Sequence, residues 1–192
     1  AKAEGKDAGR VSGNVMSTQA AAHLQATFAP KGAKLSWIEK TAEEWIYLNH
    51  GTLKQAGVTP EAAEKALCEW LVKQPGIHAA YGRTTLLKGP MVNDPIGELT
   101  RRSFHPDCAG DVGVVVKPYW MVGGGSNTFK ATHGTPHPYD THVPLVVFGP
   151  GIKAGVRQER VTPLAAAAIM AWGLNVPAPA GAEYPVPEGL LK

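Results

Sequence analysis

The chain has 192 residues, of which 44% are hydrophobic and 18% are charged, and its formal net charge is +3. This composition is typical of a folded globular protein and excludes wholesale disorder. There is no run of five or more like charges, and the longest mainly apolar run, residues 162–174, is too short to cross a bilayer. We therefore expect neither nucleic acid nor a membrane as a partner.

The first half of the chain predicts alternating helices and strands. Residues 1–13 are rich in Gly, Ala and charge, which predicts a linker or a frayed terminus. Beyond them, apolar residues at helical spacing indicate helices, and aromatic and β-branched runs indicate strands. Helices are predicted at residues 14–27, from Thr59 to before Pro75, and at residues 96–102; strands are predicted at residues 45–49 and 77–83.

The second half contains two continuous apolar runs, residues 112–117 and 144–148, which are typical of strands covered on both faces. Between them lies a triple glycine at residues 123–125, for which a flexible connector is favoured over a phosphate-binding loop because no lysine and helix follow. An alanine-rich helix is predicted at residues 161–172, before a proline-rich extended tail. The predicted fold class is α/β or α+β.

A polar loop with unusual chemistry precedes the second apolar run. Gly134, Pro136 and Pro138 argue against a regular helix there. Neutral imidazole is a common zinc ligand, and a loop entering a buried strand can hold one rigidly, although histidines in loops are also often hydrogen-bonded turn residues. The candidate side chains are His133, His137, Asp140 and His142.

The segment THGTPHPYDTHVPLVVFGPGIKAG, which contains these residues, resembles the last active-site segment of the alkaline phosphatase superfamily, in its type I phosphodiesterase/nucleotide pyrophosphatase branch. GDVGVVVKPYW resembles the strand before that segment, and PGIHAAYGRTTLL resembles an earlier one. The resemblance implies the C-terminal part of an alkaline-phosphatase-like α/β sheet plus an inserted α/β cap subdomain. Residues 14–105 would form the cap, and residues 106–192 the final strands and helix of the core.

For chemistry, the resemblance implies a parent enzyme that hydrolyses phosphate esters with two zinc ions and a covalent phospho-Thr or phospho-Ser intermediate. Of the family's ligands only the late histidine has a match, His133, which is the expected metal ligand. Asp140 and His142 are expected to orient His133 or its loop, with turn capping and packing as the alternatives, and His137 is expected at the surface. The chain contains neither an Asp-x-x-x-His pair nor an adjacent Asp-His pair.

These gaps predict a C-terminal fragment that is inactive alone and holds no catalytic zinc by itself. Its partners would be a phosphate ester substrate and the missing N-terminal part of the same enzyme, and the family implies a periplasmic or extracellular parent. A truncated sheet would also expose an edge and favour self-association. Two alternatives stay open: a compact metal hydrolase built from the four loop residues, and a non-catalytic binding or assembly module with a structural histidine loop.

Overall fold

The structure, a computed structural model, describes residues 1, 4–123 and 131–192. The described chain divides into two compact units, Ala1–Thr141 and His142–Lys192. It contains both parallel and antiparallel strand pairs together with helices, which confirms the predicted mixed α/β class. The triple glycine lies largely outside the described residues.

Two helices of the first unit begin where local sequence signals place them. Thr59 accepts a hydrogen bond from the N–H of Ala62, and Asp94 accepts one from Gly97, so each caps a helix whose first residue is proline. A π-helical turn, Val15–Gln19, leads directly into the first α-helix. The helices are α1 (Ala20–Phe28), α2 (His50–Ala56), α3 (Pro60–Leu71), α4 (Arg83–Leu87), α5 (Pro95–Ser103) and the single turn α6 (Pro138–Thr141).

The strands of the first unit form two sheets. They are β1 (Gly9–Val11), β2 (Ile38–Ala42), β3 (Trp45–Leu48), β4 (Ile77–Gly82), β5 (Val112–Val116) and β6 (Trp120–Val122). An antiparallel sheet has the order β2-β3-β5-β4, and β1 pairs with β6 in parallel. The predicted strands at 45–49, 77–83 and 112–117 are confirmed, whereas β1, β2 and β6 were not predicted.

The central strand β5 divides the interior of the first unit, because successive side chains of a strand point to opposite faces. Val112, Val114 and Val116 pack in the main hydrophobic cluster with residues from α1 and α3. Val115 faces the other way, in a smaller cluster with Tyr81 and Leu86. All five residues of β5 are buried, as the continuous apolar run predicted.

Strands from different ranges of the expected domain division pair with one another. Residues 1–13 are not simply a linker, because β1 lies within them and Val11 is buried in the main cluster. β5 pairs with β3 and β4, so it shares one sheet with strands from residues 14–105, and the two compact units divide after Thr141. The cap role of residues 14–105 stays a prediction.

The second unit contains the helix α7 (Ala165–Gly173), close to its predicted position. The strand predicted at residues 144–148 is wrong for this structure: no strand pairing forms there among the described residues, and Phe148 is fully exposed. An apolar run becomes a strand only when a neighbour accepts its backbone hydrogen bonds. The unit also contains one antiparallel bridge, between Ile152 and Leu191.

No helix among the described residues is both long enough and apolar enough to cross a membrane.

Candidate functional site

The segment Ala131–Thr141, which we call the histidine loop, is attached to the sheet by His137. The ring of His137 is only 4% exposed, and its Nε2 lies 2.7 Å from the carbonyl oxygen of Val116, the last residue of β5. This bond requires Nε2 to carry the proton and to donate it. The expectation that His137 is a surface residue is therefore wrong: its ring supplies the donor that a buried carbonyl at the end of the strand needs.

Asp140 closes the histidine loop on itself. Its Oδ2 accepts hydrogen bonds from the backbone N–H of Thr135 at 2.9 Å and from the hydroxyl of Thr135 at 2.6 Å. The N–H groups of Asp140 and Thr141 donate to the carbonyl oxygen of His137, which forms the short turn α6. This is the turn-closing geometry that the sequence left open as an alternative for Asp140. Its expected role in orienting His133 stays a prediction.

Three stacked rings connect the loop to neighbouring segments. Tyr139 stacks on His137 with ring centroids 5.8 Å apart, and on Tyr119 with centroids 5.1 Å apart. The Tyr139 hydroxyl also accepts the backbone N–H of Tyr119, and the ammonium of Lys6 lies 4.6 Å from the Tyr119 ring centre. These contacts join the loop to the turn after β5 and to the N-terminal segment, which the sequence pattern did not reveal.

His133 lies in the irregular start of the loop and is exposed, next to Gly134, whose φ of 98° is strained for other residues. His142 is the first residue of the second unit and is also exposed.

The described residues contain no group of three or more His, Cys, Asp or Glu side chains that could hold a metal ion. A catalytic zinc site uses three protein ligands. The described residues of this chain therefore do not fit a complete zinc site.

This arrangement also argues against the compact hydrolase built from His133, His137, Asp140 and His142. The Nε2 of His137 is occupied by the Val116 carbonyl, and Asp140 is engaged by Thr135. The part of the loop that the structure describes thus offers an exposed imidazole on a braced turn. It does not offer a converging set of ligands.

Asp111 and Cys68 are two further titratable side chains of the first unit whose surroundings the structure describes. Asp111 is buried and accepts hydrogen bonds from the N–H of Leu48 and from Nε2 of His50. Cys68 and Cys108 are both free, and burial, with smaller contributions from Glu64 and Glu69, raises the pKa of the Cys68 thiol to about 12. Cys68 is therefore a neutral thiol at physiological pH and a poor nucleophile.

Comparisons with known proteins identify the fold. No protein-family model matches the chain, and no curated protein matches it. The crystal structure of wild-type alkaline phosphatase PafA, determined to 1.7 Å, is similar to it over 100% of this chain and 35% of that one, with a TM-score of 0.82 and 19% identity. A quadruple mutant of PafA is similar over 100% and 34%, with a TM-score of 0.80 and 19% identity. The chain therefore has an alkaline-phosphatase-like fold and spans about a third of the length of these structures.

Proposed function

We propose that this chain is the C-terminal part of a zinc-dependent hydrolase of phosphate esters, of the type I phosphodiesterase/nucleotide pyrophosphatase kind. One observation carries the proposal: the whole chain has the fold of part of an alkaline phosphatase, and it presents His133 in a segment that resembles the superfamily's last active-site segment. Neither the fold nor the segment alone would be sufficient, because one fold can support many functions.

In this proposal His133 contributes one imidazole to a metal site whose other ligands belong to an upstream part of the same enzyme. The bonds from His137 to Val116 and from Thr135 to Asp140 hold the turn that follows His133. A braced loop is the arrangement expected for a ligand that must be held in place, because looseness in supporting residues weakens metal sites. His142 and Asp140 would support the same loop.

The substrate class is a phosphate ester, either a monoester or a diester. The nucleophile and most metal ligands would come from the upstream part, so the isolated chain should bind no stoichiometric zinc and should be inactive. The family resemblance favours export of the parent enzyme to the periplasm or outside the cell.

The test has two stages. Intact mass, zinc content and hydrolysis of p-nitrophenyl phosphate and bis(p-nitrophenyl) phosphate are measured first for the purified chain with added zinc, where we expect no turnover above background. The same assays are then applied to the protein extended by the region encoded before residue 1. We expect turnover there that His133→Ala abolishes and that His78→Ala, at an exposed strand histidine outside the loop, leaves intact.

Stoichiometric zinc together with turnover by the 192-residue chain alone would contradict the fragment proposal. Extended protein whose turnover is unchanged by His133→Ala would contradict the role of His133.

A second candidate is a non-catalytic binding or assembly module. It is favoured by the bonding of the loop, in which His137 and Asp140 are engaged by backbone and hydroxyl groups of the chain itself. Metal-independent folding together with a lack of turnover in the extended protein would support this candidate over the hydrolase.

A further inference from the structure

An open cavity of about 420 Å³ lies at the surface of the first unit, beside the histidine loop. It is lined by residues 113–116 of β5 and by Leu99, Thr100 and Ser103 of α5. Residues 134–136 and Thr141 of the histidine loop, together with residues 43–45, complete the lining. A volume of this size falls within the range of small-molecule sites, roughly 300–1,000 Å³.

Each hydroxyl group that lines this cavity already donates its proton in a hydrogen bond to another group of the chain. Thr100 donates to the carbonyl of Ile96, and Ser103 donates to that of Thr100. Thr135 donates to the Asp140 carboxylate, and Thr141 to the His137 carbonyl. A hydroxyl has one proton and two lone pairs, so each of these oxygens can serve a ligand only as an acceptor.

The charged side chains of the cavity are both carboxylates. Glu43 and Glu44 line it, whereas no Lys, Arg or His is among its described lining residues. Neither carboxylate forms an ion pair with a basic side chain in the part of the chain that the structure describes. Burial raises the pKa of Glu44, and the neighbouring charge of Glu43 raises it further. A bound cation would offset both effects.

The remaining lining suits an organic ligand. Trp45, Leu99, Val115 and Pro136 contribute apolar surface, and the described residues provide no cluster of three metal-ligating side chains. Apolar walls with a few polar groups are typical of sites for small organic molecules, whereas a hard metal ion requires several converging oxygen ligands.

We propose that this cavity binds a primary alkylammonium group. A primary ammonium carries one positive charge and three N–H donors, which match the two carboxylates and the hydroxyl acceptors of the cavity. Gly134 lines the cavity and directly follows His133, at the ~3.8 Å Cα spacing of adjacent residues. This step rests on the proposed function: in the parent enzyme the cavity would select phosphate esters whose alcohol part carries an amine.

The cation site can be tested on the 192-residue chain without zinc and without turnover. Ethanolamine is titrated into labelled protein, and backbone amide shifts of Gly113 and Gly134 are followed by NMR. Ethylene glycol tests the role of charge, since it has hydroxyl donors but is neutral, and choline tests the role of N–H donors, since its ammonium has none. The variants are Glu44→Gln and the control Glu39→Gln, an exposed carboxylate on β2 outside the cavity.

We expect saturable shifts with ethanolamine, weaker binding of choline, and no saturation with ethylene glycol. Glu44→Gln should weaken ethanolamine binding about fivefold, the order expected for one partly exposed charge contact, and Glu39→Gln should not weaken it. Equal binding of ethanolamine and ethylene glycol, equal binding of ethanolamine and choline, or equal effects of the two substitutions would each overturn the proposal. A failed zinc or hydrolysis assay would instead concern His133 and leave this result unaffected.

Discussion

Glu64 is a carboxylate inside the first unit, only 3% exposed, on the face of α3 that packs against β4. Its Oε2 accepts the N–H of Thr84 in the first turn of α4, while Oε1 is buried without a hydrogen-bond partner in the described structure. A Cβ at Gly82 would lie 2.7 Å from Oε2, so glycine is needed there for the carboxylate to approach. Burial raises the pKa of Glu64, and the charge of Asp111 adds to this effect.

This raised pKa predicts a pH-dependent stability. Between the unfolded and folded pKa values of Glu64 the folded state binds more protons than the unfolded state, so the free energy of unfolding falls as pH rises from the ordinary glutamate range near ~4.3. Glu64→Gln is neutral at every pH and removes this contribution. We expect the stability of the wild type relative to Glu64→Gln to decline from pH 4 to pH 7, measured by urea unfolding.

A matched control lies one residue further along α3. Lys65 is exposed, so Lys65→Gln should change the free energy of unfolding by no more than about 0.5 kcal/mol. A stability difference between the wild type and Glu64→Gln that is the same at pH 4 and pH 7 would show that burial does not perturb this carboxyl group.

At the scale of elements, the histidine loop is attached to β5 through one buried hydrogen bond. His137→Phe keeps a ring that can stack on Tyr139 but leaves the Val116 carbonyl without its donor, which should cost about 1–3 kcal/mol. We expect faster amide hydrogen exchange at Thr135 and Asp140, whose N–H groups donate within the loop. NMR-detected exchange and urea unfolding measure the two effects.

His78→Phe is the control for this substitution. His78 is exposed and makes only an edge contact with the ring of His137, at 5.6 Å between centroids, in the contacts described for it. His78→Phe should therefore leave amide hydrogen exchange at Thr135 and Asp140 unchanged. Equal acceleration by the two substitutions would mean that ring packing, rather than the bond to Val116, holds the loop.

Elements whose signals are local could be predicted from the sequence, and those that depend on distant partners could not. Thr59 and Asp94 cap helices through bonds to residues three positions away, so both helix starts were found. The environment of His137 depends on Val116, 21 positions earlier, and nothing in the spacing of the loop histidines indicates that contact. The short strands β1 and β6 exist because they pair with each other across about a hundred residues.

At the scale of the whole molecule, the second unit exposes much apolar surface. Val146 is 85% exposed and Phe148 is fully exposed, and Leu164, Met170 and Leu174 are exposed on or beside α7. A helix that is apolar on all sides is normally buried, and so is a continuous apolar run. Within the proposed function, this surface would be covered by the upstream part of the same enzyme.

Without such a cover, the chain should self-associate. Fully burying a Phe or Val side chain contributes about 1.5–3 kcal/mol, so Val146 and Phe148 provide a strong drive to pair with another copy. We expect the weight-average mass by light scattering to rise above the 20.3 kDa of one chain as concentration increases, and Phe148→Lys to reduce that rise.

Gln158→Lys is the control, because it adds the same charge at an exposed polar position of the same unit and removes no apolar surface. This substitution should not reduce the rise in mass. A wild-type mass that stays at that of one chain across the concentration range would rule out association through this surface.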